Sequence, residues 1–281
     1  MSFSRIKSHA KINLAINITG KLSLLHKIES IISFINLHDL IFIKKINSSN
    51  SQISFYGKFS KNISKNNTIE KLLTILEKKK LLQNKKFHIK VQKNIPQKAG
   101  LGGGSMNAAN ILNFLIKKKF IKIDKKKLQK VCSTIGSDVI LGINSKSTIL
   151  KSNNDIKTYI SCPKFYTLLV KPNFGCSTKT IYSSVKQLTK PKFNNPKKTM
   201  FSPKFLSRQE NALEKIAFLK YPKLKSIKTY LENLKNPIFV RMTGSGSLIV
   251  AYYQSKRDSE LAKVQFKRKF KNYWCNTSKT I

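Results

Sequence analysis

The chain has 281 residues, of which 40% are hydrophobic and 10% aromatic, enough to bury the core of one large domain or two smaller ones. This composition excludes an intrinsically disordered chain. Lys and Arg number 55 and Asp and Glu number 12, so the formal net charge is +43. That charge is compatible with nucleic acid or an anionic membrane surface as a partner, but net charge does not decide a fold.

The basic residues are spread along the whole chain in short lysine runs, such as 78–80, 117–119 and 125–127. No zinc-knuckle, helix-turn-helix or aromatic RNA-binding pattern accompanies them. We therefore interpret the charge as a lysine-rich surface and expect no specific nucleic-acid partner. Residues 1–10 lack the apolar core of a signal peptide, and no run of about 20 apolar residues could cross a bilayer. The sequence predicts a cytoplasmic protein without a membrane partner.

Cysteine and histidine spacing argues against a protein-built metal site. The four cysteines, Cys132, Cys162, Cys176 and Cys275, are widely separated and form no C-x-x-C pair. The four histidines are equally scattered. We expect reduced thiols and no metal ligands among these residues.

In the first half of the chain, an alternating pattern predicts a strand over 10–19. Two more strands are predicted within 28–46, with a turn at His38-Asp39 between them. A helix is predicted over 68–80 after Asn66-Asn67, which can cap it. A strand over 87–92 then leads into a Pro- and Gly-rich loop, 95–105.

The rest of the chain is predicted to interleave helices and strands. Residues 190–204, rich in Lys, Pro and Asn, predict a mobile surface loop. The predicted helices lie at about 105–118, 125–135, 208–219 and 224–234, with a lysine-rich helix near the end, and the predicted strands at 147–151, 165–171, 238–242, 248–253 and around 273–274. This order indicates an α+β fold with two domains, 1–155 and 156–281.

The glycine-rich loop is the strongest candidate for a binding site. Glycines let a backbone approach an anion closely, and the start of the following helix offers free N–H donors at its positive end. Phosphate is the natural ligand of such a loop, although a plain glycine-rich turn is the alternative. The loop matches neither a Walker A nor a Rossmann pattern. The candidate nucleotide-binding residues are Pro96, Gln97, Lys98, Ala99, Gly100, Leu101, Gly102, Gly103, Gly104, Ser105 and Met106.

Two charged residues outside this loop are candidates for chemistry. Asp138 follows Gly136 and precedes an apolar run, where a carboxylate could orient or deprotonate a hydroxyl, hold a metal, or cap a turn. Lys11 lies in an apolar strand, although a solvated strand lysine is the ordinary alternative. A second glycine-bounded turn, Thr243-Gly244-Ser245-Gly246, could line the same phosphate site.

Taken together, these stretches resemble the GHMP kinase superfamily. Pro96 to Ser105, followed by Asn107-Ala108-Ala109, resembles the P-x-x-x-G-L-G-G-G-S-S-N-A-A loop of that superfamily, and Thr243-Gly244-Ser245-Gly246 resembles its third motif. Residues 10–20, 26–30 and 136–139, and Asn211-x-x-Glu214, look most like the family that acts on 4-diphosphocytidyl-2-C-methyl-D-erythritol. The resemblance implies a two-domain fold, with an N-terminal domain like ribosomal protein S5 and a ferredoxin-like C-terminal α/β sandwich.

The resemblance also implies an activity and roles for residues. Such kinases transfer the γ-phosphoryl group of ATP, with Mg²⁺ on the phosphates, to the 2-hydroxyl of this cytidine-diphosphate-linked methylerythritol in the non-mevalonate route to isoprenoid precursors. Asp138 would then be the base or orienting carboxylate, with Lys11 beside it. Asn13 would lie near the acceptor, His26 at the cytosine and Asn67 near the adenine. Thr243, Gly244, Ser245 and Gly246 would line the substrate site.

The sequence departs from the family pattern at three places, one of which is Gln97-Lys98-Ala99 in place of a glycine-richer stretch, where Lys98 could contact a phosphate. Ser23-Leu24-Leu25-His26 stands where the family has Asp-Gly-Tyr-His, so the tyrosine is missing and an aromatic elsewhere would have to compensate. Met106 replaces the second serine after the glycines. Alternative interpretations are a homoserine, mevalonate or sugar kinase of the same superfamily, a basic nucleic-acid-binding protein on a kinase-derived fold, or an inactive homologue. A homodimer is left open.

Overall fold

The computed structural model describes residues 2–21 and 26–281 of the chain. The described residues fall into two compact units, each built from separate stretches of sequence. The first unit comprises residues 2–10, Leu37–Pro96 and Gly102–Ser145, and the second comprises Lys11–Asn36 apart from the gap, Gln97–Leu101 and Lys146–Ile281. These units are not the consecutive segments 1–155 and 156–281 of the sequence prediction. The predicted boundary between two domains, after residue 155, therefore stays a prediction.

The predicted α+β character is confirmed, because strands and helices both recur along the chain. In chain order the strands are β1 (Ser4–Lys21), β2 (His26–Ile46), β3 (Gln52–Tyr56), β4 (Lys86–Gln92), β5 (Ser147–Leu150), β6 (Ile156–Tyr159), β7 (Tyr166–Lys171), β8 (Phe239–Met242), β9 (Ile249–Tyr253) and β10 (Trp274–Lys279). The helices are α1 (Thr68–Lys78), α2 (Gly103–Lys117), α3 (Lys125–Ile135), α4 (Val139–Gly142), α5 (Thr178–Ser183), α6 (Pro203–Ser207), α7 (Glu214–Lys220), α8 (Pro222–Glu232) and α9 (Lys256–Lys269). A 3₁₀ turn spans Lys198–Phe201.

In the first unit, helices cover a sheet built around strand β4. Strand β4 pairs antiparallel with residues 40–46 of β2 on one side and parallel with β3 on the other. The core joins apolar side chains of these strands to those of helices α1, α2 and α3. Helix α1 begins at Asn67, whose side-chain oxygen accepts the N–H groups of Ile69 and Glu70, as its capping role predicts.

In the second unit, four antiparallel strands form a sheet in the order β10-β7-β9-β8. Helices α8 and α9 pack on this sheet, and the core extends to Ile16 and Ile18 of strand β1. Strands β5 and β6 form a hairpin in which β5 also pairs with residues 30–32 of β2. The interleaved strands and helices expected for the second half are therefore present.

The predicted turn at His38-Asp39 is wrong, because strand β2 runs unbroken from His26 to Ile46. Asp39 lies in the strand and is fully buried. An acidic residue between apolar residues predicts a turn, because a carboxylate buried within a strand would need hydrogen-bond partners that the neighbouring sequence does not supply. Here those partners come from residues more than 50 positions further along the chain.

Two other predictions need correction. The predicted helix over 208–219 begins only at Glu214, because the backbone before it pairs instead with β1 through Ile16 and Asn211. The predicted surface loop at 190–204 is interrupted by the 3₁₀ turn at Lys198–Phe201 and the start of α6, and it is held where Phe193 is fully buried and the carboxylate of Glu29 accepts the backbone N–H groups of Lys192 and Phe193. Its mobility stays a prediction. Both differences arise from long-range hydrogen bonds that a local pattern does not reveal.

Candidate active site

In the first unit, the start of helix α2 has the features of an anion-binding site. Gly102 precedes the helix with φ +65°, no side chain caps it, and its first turn holds no acidic residue. The N–H of Met106 already bonds to the carbonyl of Gly102, at 2.9 Å. The N–H groups of Gly103, Gly104 and Ser105 precede the first intrahelical donor, so they remain for an external acceptor. This arrangement suits a phosphate group.

The glycines at this helix start also permit close packing. A Cβ on Gly104 would lie 3.1 Å from the hydroxyl oxygen of Thr68, which donates to the carbonyl of Gly104 at 2.7 Å. A Cβ on Gly103 would lie 3.1 Å from the Cγ2 atom of Ile95. Gly103 and Gly104 are therefore packed closely against their own neighbours, where an added Cβ would be tight. Pro96, at the other end of this stretch, is buried.

Met106 is the last of the predicted loop residues, and its side chain is apolar. Its side chain is fully buried, and its sulfur would lie 3.0 Å from a Cβ on Gly142 of helix α4. A Cβ on Gly142 would also meet the Cβ of Ala109 at 2.6 Å, so helices α2 and α4 pack in close contact. Met106 therefore holds α4 against α2.

This packing places the Asp138 segment beside the start of helix α2. A Cβ on Gly136 would lie 3.8 Å from the hydroxyl oxygen of Ser105. Asp138 is half-buried and occupies the N-cap position of α4, yet its side chain makes no capping hydrogen bond there. A half-buried carboxylate in this position can accept a proton or orient a hydroxyl group, and the predicted roles of Asp138, turn capping among them, stay predictions.

In the second unit, Lys11 is not a solvated surface lysine. Its side chain is only 4% exposed, and its ammonium group donates to Oδ1 of Asn13 at 2.7 Å. Asn13 is also buried and donates through Nδ2 to the hydroxyl of Ser30 at 2.8 Å. The backbone N–H of Lys11 bonds to the carbonyl of Leu101, which ties strand β1 to the Gln97–Leu101 part of the glycine loop. The Lys11 ammonium is therefore held inside the second unit, where an amide oxygen accepts its hydrogen bond.

The Thr243–Gly246 turn supports the same part of the loop. Thr243 is fully buried, and its hydroxyl accepts the N–H of Asn13 at 2.9 Å and donates to the carbonyl of Gly100 at 3.4 Å. Gly100 and Gly244 have positive φ values of +70° and +57°, and a Cβ on Gly100 would lie 2.2 Å from the carbonyl oxygen of Thr243. Ser245 is hydrogen bonded to Thr178 at 2.8 Å. The second unit thus brings together Lys11, Asn13, the 97–101 segment and this turn.

The remaining residues of the 97–101 segment have different exposures. Ala99 and Leu101 are buried, Gln97 is half-buried, and Lys98 is exposed with φ +50°. A Cβ on Gly175 would lie 2.9 Å from the Cβ of Lys98, so the base of the lysine side chain packs closely while its end reaches solvent. Lys98 is therefore free of the core and carries the one side-chain cation of this segment.

Asn211 has a role that the sequence analysis did not assign. Its side-chain nitrogen donates to the carbonyls of Met242 and Gly244, at 2.9 and 2.8 Å, and its oxygen accepts the N–H of Leu213. The backbone on either side of it bonds to Ile16 of strand β1. Asn211 therefore joins β1 to the Thr243–Gly246 turn. The only signal in the sequence was the resemblance of Asn211-x-x-Glu214 to the family pattern.

The predicted cytosine-binding and adenine-binding residues have defined neighbours. The His26 ring lies 5.5 Å from that of Tyr182 on helix α5, centroid to centroid. Tyr182 lies elsewhere in the chain and is therefore a candidate for the aromatic residue that would compensate for the missing tyrosine. Ser23-Leu24-Leu25 lies outside the described residues. The Asn67 side chain caps helix α1 and also donates to the carbonyl of Ser64, so its role toward adenine stays a prediction.

Comparison with known proteins identifies the class. Residues 67–147 match the model for the GHMP kinase N-terminal domain, and residues 186–272 match the model for the GHMP kinase C-terminal domain. The fold matches a homoserine kinase from Cytophaga hutchinsonii with TM-score 0.67, 15% identity and coverage of 100% of this chain and 97% of that one. The chain is therefore a GHMP kinase, and the predicted two-domain GHMP fold is confirmed. No helix within residues 2–21 and 26–281 is long and apolar enough to span a membrane.

The relatives identify the family within that class. A 4-diphosphocytidyl-2-C-methyl-D-erythritol kinase from Pelagibacter ubique is 60% identical over the full length of both chains. One from Petrotoga mobilis is 34% identical, covering 87% of this chain and 96% of its own. The crystal structure of a 4-(cytidine 5'-diphospho)-2C-methyl-D-erythritol kinase superimposes with TM-score 0.78 at 22% identity, covering 98% of this chain and 99% of that one. The chain belongs to the 4-diphosphocytidyl-2-C-methyl-D-erythritol kinase family.

Proposed function

We propose that this chain transfers the γ-phosphoryl group of ATP to the 2-hydroxyl of 4-diphosphocytidyl-2-C-methyl-D-erythritol, in the cytoplasm, as a step of the non-mevalonate route to isoprenoid precursors. The observation that carries the proposal is the 60% identity to a kinase of that name over the whole of both chains. The homoserine kinase and a mevalonate kinase from Methanococcus jannaschii share the fold at 15% and 13% identity. Identity this low shows a shared fold and gives no argument for homoserine or mevalonate as the substrate of this chain.

The glycine loop supplies the phosphate-binding groups in this proposal. The amides of Gly103, Gly104 and Ser105 at the start of α2 bind phosphate oxygens, with the positive end of the helix stabilising their charge. Lys98, exposed on the same loop, adds a cation. Among the described residues no cluster of three or more His, Cys, Asp or Glu side chains could hold a metal. Mg²⁺ would therefore be held mainly by the phosphates, with Ser105 or Asp138 adding an oxygen, and would neutralise phosphate charge.

Asp138 and Lys11 perform the transfer itself. The 2-hydroxyl oxygen of the acceptor attacks the γ-phosphorus, the bond from that phosphorus to the β–γ bridging oxygen breaks, and ADP leaves. Asp138 orients the hydroxyl and accepts its proton. Lys11 stabilises the negative charge that develops around the reacting oxygens, and its bond to Asn13 holds it in one position.

The acceptor is recognised at its cytosine end by His26 and Tyr182. Their rings are in contact, so they present an aromatic surface and an imidazole nitrogen to a nucleobase. Asn13 and the Thr243–Gly246 turn complete the acceptor side. This assignment gives Tyr182 the role that the tyrosine before the histidine has in the family pattern.

The test is ADP formation by the purified protein with a panel of acceptors and Mg²⁺-ATP. We expect turnover with the cytidyl substrate and none with homoserine or mevalonate. Asp138→Asn should lower kcat by about 10²- to 10⁴-fold while nucleotide affinity is kept, because a positioned base contributes that much. Turnover of homoserine but not of the cytidyl substrate would refute the acceptor, and near-normal kcat in Asp138→Asn would refute the role of that residue.

A further inference from the structure

A fully buried carboxylate in the first unit is not used by the proposed mechanism. Asp39 of strand β2 is 0% exposed, and four nitrogen donors converge on it. One oxygen accepts the backbone N–H groups of Asn94 and Ile95, at 2.7 and 2.9 Å. The other accepts Nζ of Lys93 and Nδ2 of Asn107, the latter at 2.9 Å. Asp39 therefore has a complete shell of donors and no solvent.

These donors lie on both sides of the glycine loop. Asn94 and Ile95 are the last two residues before Pro96, and Asn107 lies just after the first turn of helix α2. One carboxylate thus ties the chain entering the loop to the helix that leaves it. Lys93 extends the same cluster, because its ammonium nitrogen would lie 3.6 Å from a Cβ on Gly103.

Core packing alone would not require the charged and polar side chains of Asp39, Lys93 and Asn107. Burying a carboxylate and an ammonium carries a desolvation cost that an apolar pair would avoid, so such a pair does not by itself indicate stability. Asn107 Oδ1 is buried without a hydrogen-bond partner among the described residues, while its Nδ2 bonds to Asp39. The amide therefore serves Asp39 as a donor, even though its own oxygen is left unsatisfied.

We propose that Asp39 is a positioning residue for nucleotide binding, which sets the separation between the two ends of the glycine loop through Asn94, Ile95 and Asn107. The inference rests on the proposed function, because that function assigns the loop to the phosphates of ATP. Asp39 is fully buried, so it acts through these groups and not by direct contact with a substrate. Its effect is to hold the amides of Gly103, Gly104 and Ser105 in the arrangement that binds phosphate.

The experiment compares Asp39→Asn with a reciprocal exchange, Asp39→Asn/Asn107→Asp. In the single variant, amide N–H groups of residues 39 and 107 face each other. In the exchange, the amide at 39 donates to a carboxylate at 107, and one anion is kept beside Lys93. The control is Glu29→Gln: Glu29 is also 0% exposed and accepts three N–H groups, but from Asn17, Lys192 and Phe193, outside the loop.

For each protein we would measure the Kd for a non-hydrolysable ATP analogue, KM for ATP, KM for the cytidyl substrate, and Tm. Asp39→Asn should raise the Kd and KM for the nucleotide by about 10- to 100-fold, since displacements near 1 Å have effects of that order. KM for the cytidyl substrate should change little. The exchange should recover most of the nucleotide affinity, and Glu29→Gln should lower Tm without altering nucleotide affinity.

Two results would overturn the inference. One is wild-type nucleotide affinity in folded Asp39→Asn. The other is that KM for ATP and KM for the cytidyl substrate rise by the same factor, both in Asp39→Asn and in Glu29→Gln. If Asp39→Asn does not fold, Asn107→Ala, which removes one donor, carries the same expectation of weakened nucleotide binding, and unchanged binding there refutes the proposal. A wild-type protein that binds the nucleotide but does not phosphorylate the cytidyl substrate would instead refute the proposed function. The Kd of the ATP analogue would still test the role of Asp39, because that measurement does not depend on turnover.

Discussion

Replacing Gly100 by alanine should separate the glycine loop from the turn that supports it. Gly100 has φ +70°, where an L-residue with a Cβ is strained by about 1–2 kcal/mol. Its new Cβ would lie 2.2 Å from the backbone carbonyl oxygen of Thr243 and 3.4 Å from Cα of Gly244. Because ordinary contact begins near 3.4 Å, backbone must move by more than 1 Å. A displacement of that size costs on the order of 10²-fold in catalysis.

Steady-state kinetics with ATP varied, together with thermal unfolding, would measure both effects. We expect kcat/KM for ATP to fall by about 10²-fold and Tm to fall by about 2–4 °C for each kcal/mol of strain. The control is Gly20→Ala, where the three nearest atoms to the new Cβ among the described residues all belong to the flexible side chain of Lys27, the nearest at 3.3 Å, and where φ is not positive. Wild-type kcat/KM in Gly100→Ala would show that the 97–101 segment does not position the nucleotide.

Three further changes test other parts of the molecule. Asn211→Ala leaves two backbone carbonyls without their donor, so urea unfolding should show a loss of about 1–3 kcal/mol; an unchanged midpoint would contradict the role given to Asn211. Tyr182→Ala should raise KM for the cytidyl substrate about tenfold or more while Tyr182→Phe does not, and equal values would remove the ring beside His26 from base recognition. Burial raises the pKa of Cys132 and Cys176 to about 11, so iodoacetamide at pH 8 should label the two half-exposed cysteines first, with the buried pair reacting faster as pH rises toward 11.

Local sequence patterns were sufficient where the structure depends on neighbouring residues. The cap at Asn67 and the helix over 125–135 follow from short-range hydrogen bonding and apolar spacing, and both are present as predicted. Gly102 and Gly100 have the positive φ values that a glycine-rich anion-binding loop requires. For these features the relevant interactions span only a few residues, so composition and order carry the information.

The candidate chemistry was only partly accessible from the sequence. Lys11 was a candidate for chemistry with a solvated strand lysine as the alternative, and its burial beside Asn13 and the loop carbonyl of Leu101 appears only in the structure. Asp39 looked like a turn residue because its partners at 93–95 and 107 are distant in sequence. Whether Lys11 and Asp138 act on one substrate stays a prediction, and the kinetic variants test it.

The sequence by itself determined the glycine loop, the residue types of the candidate phosphate site and, through their order, the resemblance to GHMP kinases. Only the tertiary structure decided which polar side chains are buried and what they hold. The hydrogen bond from the N–H of Asn13 to the hydroxyl of Thr243 joins residues 230 positions apart. A contact of that kind forms when the second unit folds, since burial without a partner would be too costly for either group. The order of residues along the chain therefore does not predict the hydrogen bond between Asn13 and Thr243.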